Sequence, residues 1–204
     1  MRHPRSICLL SLILVLLVAS SGGAIAGCST ALLVIDMQNF VFNPLSHWYT
    51  ATGEELIPAV EQLLVLARAA GLEIIYIRDV SQDPEGKFPE SYAIVDELLP
   101  QEDDSVFTKL SPSAFLNEEL EQHLRENGIR KLLISGLMST GCVEATLLAG
   151  LREGFDILVV KDAHSDGADT MRARQRNNTW RGRGIPVELM ADIDWVGFHC
   201  GGDT

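Results

Sequence analysis

Aliphatic runs alternate with amphipathic stretches along most of the chain. Because these runs lack the polar–apolar alternation of a half-exposed strand, they predict strands covered on both faces, as in a parallel sheet. The four long runs are ALLVID (31–36), LEIIYIRD (72–79), IRKLLISG (129–136) and FDILVVKDA (155–163). Two shorter segments, SVFTK (105–109) and PVELM (186–190), predict a third and a sixth strand.

The segments between the predicted strands have the periodicity of amphipathic helices. ELIPAVEQLLVLARAAG carries its aliphatic residues on one stripe and ends at Gly71, and Asn117 can cap NEELEQHLREN, which ends at Gly128. CVEATLLAGLREG and the polar stretch 168–181 predict two more helices, and YAIVDELL predicts a short one before the third strand. This order predicts one α/β domain with three layers, α/β/α, in which the middle layer is a six-stranded, mostly parallel sheet.

The composition narrows the possible partners. The 204 residues include 16 Lys and Arg against 28 Asp and Glu, which gives a formal net charge of −12. Such a chain repels phosphate backbones, so nucleic acid is not an expected partner. The four cysteines show no C-x-x-C spacing and the five histidines lie far apart in sequence, which argues against a disulfide scaffold or a local zinc site.

The first 27 residues have the three parts of a secretory signal peptide: basic residues, an apolar run and a segment of small residues. Two processing routes remain open. Cleavage after Ala26 fits an A-x-A site, whereas IAGC matches a lipobox whose Cys28 would be acylated and would tether the protein to a membrane. A buried N-terminal helix is the structural alternative. We expect an exported domain of residues 28–204, either periplasmic or lipid-anchored to the cell envelope.

Three residues with chemical potential follow different predicted strands. Parallel sheets bind ligands beyond the carboxyl ends of their strands, where the strand order reverses. Asp36 ends the first strand, Lys109 ends the third, and the turn LMSTGC after the fourth brings Cys142 to a helix start. Each residue alone fits an ordinary structural role, but together they converge on one cleft.

That convergence predicts nucleophilic chemistry. A helix N-terminus and a nearby ammonium both lower the pKa of a thiol, so we expect Cys142 to be an activated nucleophile. Asp36 is the candidate general base, and Lys109 is its electrostatic partner. Backbone amides in the turn around Gly141 would stabilise a developing oxyanion.

Four ordered blocks of sequence resemble the isochorismatase-like cysteine hydrolases. The blocks are ALLVIDMQNFVF, ARAAGLEIIYIRD, VFTKLSPSAF and ISGLMSTGCVEATLLAGLREGFDILVVKDAHS. The resemblance implies the strand order 3-2-1-4-5-6, a homo-oligomer, and a catalytic triad at Asp36, Lys109 and Cys142. It also implies a cis peptide bond between Leu137 and Met138, with the N–H groups of Met138 and Cys142 forming the oxyanion hole.

The chain departs from two branches of that family. Nicotinamidases bind a metal through an Asp and several His residues after the second strand, but no histidine lies between residues 48 and 122 here. We therefore expect no metal site. Isochorismatases proper commonly lack the cysteine, so the presence of Cys142 favours amide cleavage over vinyl-ether cleavage.

Further residues are candidates for substrate binding. Phe40, Phe42 and Trp48 follow the first strand and would form an apolar wall, although core packing is an equally open interpretation. Ser139 and His164 follow the fourth and fifth strands at the same edge of the sheet, and for His164 a hydrogen-bonded loop histidine is the favoured interpretation. Cys200 lies in a polar tail and is interpreted as a spare thiol.

The sequence thus predicts an exported hydrolase that cleaves a small amide or related C–N acyl bond. The reaction would pass through a thioester on Cys142 and would need no cofactor, and the partner would be a small-molecule substrate. A non-catalytic, envelope-anchored binding module and a vinyl-ether hydrolase are the alternatives. A thiol redox protein is disfavoured because no second cysteine lies near Cys142 in sequence.

Overall fold

The structure, a computed structural model, describes residues 30–167 and 170–198. The predicted signal peptide (residues 1–27), the lipidation candidate Cys28 and the tail thiol Cys200 lie outside the described residues. Within the described ranges, no helix combines the length and the apolar character needed to cross a membrane.

The core of the fold is a six-stranded sheet in the order β3-β2-β1-β4-β5-β6, and all its strand pairs are parallel. The strands are β1 (Thr30–Ile35), β2 (Glu73–Asp79), β3 (Ser105–Lys109), β4 (Lys131–Gly136), β5 (Asp156–His164) and β6 (Val187–Glu188). This confirms the predicted sheet and its strand order. The order reverses between β1 and β4, which are neighbours in the sheet but are separated by two strands in sequence.

Helices cover both faces of the sheet. The helices are α1 (Asn39–Phe42), α2 (Gly53–Ala69), α3 (Pro89–Tyr92), α4 (Glu118–Glu126), α5 (Glu144–Arg152) and α6 (Thr170–Gly182). A wide helical turn, Ser139–Val143, leads directly into α5. The side chain of Asn117 accepts a hydrogen bond from Glu119 N at 2.9 Å, so this residue caps α4 as its sequence predicts.

The alternation of side chains along β1 builds two separate cores. Leu32 and Val34 face one side, where they pack in a cluster with the apolar stripe of α2. Ala31, Leu33 and Ile35 face the other side, in a cluster with residues of α4, α5 and α6. Because both faces are covered, every residue of β1 is buried, which explains the uninterrupted aliphatic run in the sequence.

Two predicted elements differ from the structure. YAIVDELL does not form one helix: the chain is extended around Ile94, which bridges to Gln38, and only Asp96–Leu98 makes a short 3-10 turn. The backbone of this extended segment forms hydrogen bonds with the turn after β1: Val95 N, for example, donates to Met37 O at 3.1 Å. The sixth strand is also shorter than predicted, because it pairs with β5 only at Val187–Glu188.

The junction of β1 and β4 depends on a glycine. Gly136, the last residue of β4, pairs with Ile35 and has a φ of +105°. A Cβ atom at this position would lie 2.0 Å from the carbonyl oxygen of Ile35. Only glycine therefore allows the two strand ends to approach each other here.

We predict that Gly136→Ala destabilises the protein by at least about 3 kcal/mol, because it combines a left-handed φ with a backbone clash. Gly128→Ala is the matched control, since Gly128 has a φ of +67° and open space around its Cα. It should cost about 1 kcal/mol. Urea unfolding of the three proteins measures both values, and equal losses would show that the clash with Ile35 is unimportant.

Candidate active site

Parallel register brings four polar side chains to one edge of the sheet. Asp79 and Lys109 are the last residues of β2 and β3, and they pair directly in the register of these strands. Asp36 follows β1, and Cys142 lies in the turn after β4. The four side chains meet where the strand order reverses, which is the expected ligand position in such a sheet.

The ammonium group of Lys109 is the centre of this cluster. Its Nζ lies 2.8 Å from Asp79 Oδ2, 3.0 Å from Asp36 Oδ2 and 3.2 Å from Cys142 Sγ. An ammonium has three N–H donors, so these three acceptors use all of them. The side chain is only 1% exposed. Burial alone lowers the pKa of Lys109, but the negative charge of Asp36 and the bond to Asp79 outweigh it and raise the pKa above its ordinary value.

Asp36 is held in an unusual backbone conformation. Its φ is +53°, in the left-handed region that residues with a side chain rarely adopt, and its N–H donates to Ile77 O at 2.9 Å. Burial raises the pKa of Asp36 to about 6, although Lys109 and the thiol of Cys142 partly oppose this shift. Oδ1 is one of few buried polar atoms in the described residues without a hydrogen-bond partner. This carboxylate can therefore accept a proton.

Cys142 differs from its sequence-based expectation. It lies at the start of the helical segment and beside Lys109, as predicted, but burial and the negative charge of Asp36 raise its pKa to about 12. The prediction of a lowered pKa is therefore wrong. A thiolate here would join two carboxylates around a single ammonium, and this excess of negative charge in a buried site favours the neutral thiol.

The same charges show how the nucleophile can form. Moving the proton from Cys142 to Asp36 leaves the total charge of the cluster unchanged. Lys109 contacts both partners, so it stabilises the negative charge on either side of the transfer. The geometry is suited to a thiol that is deprotonated by its neighbour during reaction, rather than to a standing thiolate.

The cluster also offers three metal-ligating side chains. Ligand atoms of Asp36, Asp79 and Cys142 lie within 4.8 Å of one another, the only such group in the described residues. Lys109 Nζ, however, lies within 3.2 Å of an atom of each. A charged ammonium already occupies the position that a cation would take, so this donor set does not fit a metal ion.

The turn that carries Cys142 is closed by its own backbone. Gly141 N and Val143 N both donate to Met138 O, at 2.9 and 3.2 Å. The peptide bond between Leu137 and Met138 is cis, as the family resemblance implies. Met138 and Cys142, the two predicted oxyanion-hole residues, both line one cavity.

That cavity has a volume of about 440 Å³ and opens above the cluster. Asp36, Asp79 and Cys142 form its floor, and its sides are mainly apolar. The side residues are Phe40, Val41, Trp48, Ser81, Gln82, Tyr92, Leu110, Ser111, Pro112, Leu137, Met138 and Gly141. Phe40 and Trp48 therefore lie where the sequence places them. Phe42 does not: it packs against the core, and its ring lies where a side chain on Gly53 would have to fit.

Ser139 and His164 also lie outside this cavity. The Ser139 hydroxyl contacts His164 Nδ1 at 2.7 Å, and Nε2 of the same ring contacts Asn177 Oδ1 at 2.9 Å. Burial lowers the pKa of His164 to about 4, so the ring is neutral at pH 7. Because the amide oxygen of Asn177 only accepts, Nε2 carries the proton and Nδ1 accepts from Ser139. These two residues support the turn of Cys142 from behind.

Sequence reasoning did not assign Asp79 and Gln38 to the site. Asp79 ends a predicted strand at the same edge as Lys109, and that position was the available signal. Burial raises the pKa of Asp79, but hydrogen bonds from Lys109 and Ser81 outweigh it and lower the pKa below its usual range. Gln38 is fully buried, and its amide accepts from Asp79 N at 2.7 Å and donates to Tyr92 O at 2.7 Å. Gln38 therefore links Asp79 on the cavity floor to Tyr92 on its side.

Comparisons with known proteins agree with this geometry. Residues 30–188 match the sequence profile of the isochorismatase domain. The chain is 30% identical to a ureidoacrylate amidohydrolase of Stutzerimonas stutzeri over 183 residues, covering 72% of this chain and 74% of that protein. An isochorismatase family protein from Desulfovibrio vulgaris superposes with a TM-score of 0.74 at 27% identity, covering 82% of this chain and 97% of the other. N-carbamoylsarcosine amidase from Thermoplasma acidophilum superposes with a TM-score of 0.67 at 26% identity, covering 81% and 98%.

We predict that Asp36→Asn has opposite effects on reactivity and on catalysis. Removing the carboxylate removes a charge that raises the pKa of Cys142, while Lys109 remains, so alkylation by iodoacetamide at pH 8 should be at least about tenfold faster. Hydrolysis should be lost with the proton acceptor. Asp104→Asn, which removes the same charge far from the thiol, is the control and should leave alkylation unchanged. Slower alkylation of the Asp36→Asn protein would contradict the assigned charge interaction.

Proposed function

Because the chain belongs to the isochorismatase family of hydrolases, we propose that it cleaves a small amide or related C–N acyl bond through a thioester on Cys142. One observation carries this proposal. On the floor of an open cavity, a buried ammonium contacts both a thiol and a proton-accepting carboxylate, and ligand atoms of the thiol and the carboxylate lie within 4.8 Å of each other. The relatives named as amidohydrolase and amidase point to the same type of bond.

The first half of the reaction acylates the enzyme. Asp36 takes the proton of the Cys142 thiol as sulfur attacks the carbonyl carbon of the substrate, and a C–S bond forms. Backbone N–H groups of Met138 and Cys142 stabilise the oxyanion that develops on the carbonyl oxygen. When this intermediate collapses, the C–N bond breaks and the leaving nitrogen takes the proton from Asp36. Ammonia or an amine departs, and the acyl group remains as a thioester.

The second half releases the acid. Asp36, again ionised, accepts a proton from a water molecule that attacks the thioester carbon. The C–S bond then breaks, and the sulfur recovers its proton from Asp36. Amide and water are thereby converted to a carboxylic acid and ammonia or amine. Lys109 remains charged throughout and balances the negative charge as it moves between sulfur and carboxylate.

We predict that a screen of small amides finds one from which the protein releases ammonia or amine, and that Cys142→Ser reduces kcat/KM by at least about a thousandfold. Because Asp36 must be ionised to accept the thiol proton, kcat/KM should fall about tenfold for each pH unit below about 6. Mass spectrometry of the quenched reaction should show the acyl group on Cys142.

Two controls accompany this assay. Thr140→Ser changes an exposed neighbour of the nucleophile and should retain activity. Treatment with EDTA should also leave the rate unchanged, because Lys109 occupies the centre of the donor set. Full activity of the Cys142→Ser protein would refute the thioester mechanism, and loss of activity in EDTA that one divalent ion restores would refute a metal-independent one.

We further propose that the protein is exported and that its N-terminal signal segment is removed, either residues 1–26 by cleavage after Ala26 or residues 1–27 by cleavage before Cys28. The support is the order of basic, apolar and small residues in that segment. Intact-mass analysis of the protein from a bacterial envelope fraction should give a chain that begins at Gly27 or an acylated chain that begins at Cys28. A mature chain that retains Met1 would contradict export.

A further inference from the structure

The charges on the cavity floor restrict which charged groups the acyl part of a substrate can carry. Two carboxylates, Asp36 and Asp79, accompany the single ammonium of Lys109. All three donors of that ammonium are directed to Asp36, Asp79 and Cys142, and the residue is 3% exposed. The floor therefore has no cation available to pair with a charged group of the substrate.

The sides of the cavity do not provide a cation either. Among the described residues that line it, none is a lysine, arginine or histidine. Apart from the aromatic residues Trp48 and Tyr92, the polar side chains beyond the floor are Ser81, Gln82 and Ser111, and none of these five is charged. A carboxylate that entered this space would lose water, meet two like charges, and find no ion pair to compensate.

The apolar lining indicates what fits instead. Phe40 and Tyr92 pack with their ring centroids 4.9 Å apart, and the ring of Trp48 also lines the cavity. Leu110, Pro112 and Met138 add aliphatic surface. Flat or branched apolar groups bury well against such surfaces.

We propose that the substrate is an amide whose acyl group is uncharged and apolar or aromatic, and that the cavity rejects amides with a carboxylate on that group. This proposal rests on the proposed amide hydrolysis at the same site. Selection arises from charge, not from size.

The test compares two amides of nearly the same shape, 4-nitrobenzamide and 4-carbamoylbenzoate, which differ in the charge of one substituent. We expect kcat/KM for the neutral amide to exceed that for the anionic one by at least about a hundredfold. Gln82→Arg places a cation at the exposed rim of the cavity and should narrow this ratio at least about tenfold. Gln101→Arg, the same substitution at an exposed position that does not line the cavity, should leave the ratio unchanged.

Calorimetric binding of both compounds to the Cys142→Ser protein separates the two proposals, because binding does not require turnover. Preferential binding of 4-nitrobenzamide supports the selection even if no amide is hydrolysed, in which case only the proposed function fails. Equal or tighter binding of 4-carbamoylbenzoate overturns the selection whatever the turnover. Failure of both compounds to bind also overturns it, because the cavity would then not accept an aromatic acyl group.

Discussion

A buried ammonium constrains the whole site. Lys109 is almost inaccessible to water, and a charge in that position is stable only if hydrogen bonds and opposite charges replace the lost hydration. Asp79 and Asp36 provide both, and the Cys142 sulfur accepts the third N–H. The geometry of the nucleophile is therefore fixed by the requirement to satisfy Lys109, as well as by the turn on which Cys142 lies.

The sheet makes this arrangement possible. Asp79 and Lys109 are paired in the register of β2 and β3, so their contact follows from ordinary strand pairing. Asp36 and Cys142 reach the same point because β1 and β4 are neighbours at the reversal of strand order. Gly136 allows the ends of these two strands to approach closely. A one-residue slip in either pair would move a charged side chain to the opposite face of the sheet.

Much of this was predictable from the sequence, because uninterrupted aliphatic runs define buried parallel strands and place Asp36, Lys109 and Cys142 at one edge. The shift in the pKa of Cys142 was not predictable. Its direction depends on the burial of the thiol and on whether Asp36 or Lys109 has the stronger effect on it. For Phe42 the sequence left core packing and substrate binding equally open, and for His164 it favoured the hydrogen-bonded structural role that the structure shows. Strand periodicity locates such residues at the correct end of the sheet but does not determine whether a side chain after the strand points into the cavity or behind it.

Positioning the nucleophile and contacting the substrate are carried out by different sets of residues. Ser139, His164 and Asn177 form a buried hydrogen-bonded chain that holds the turn of Cys142 against α6, and Trp180 packs on the imidazole ring with centroids 5.3 Å apart. This chain of hydrogen bonds supports the nucleophile through side chains that do not line the cavity. The aromatic and aliphatic wall can therefore change composition without disturbing the proton transfer between thiol and carboxylate. In such a design, the floor determines the reaction and the wall determines the substrate.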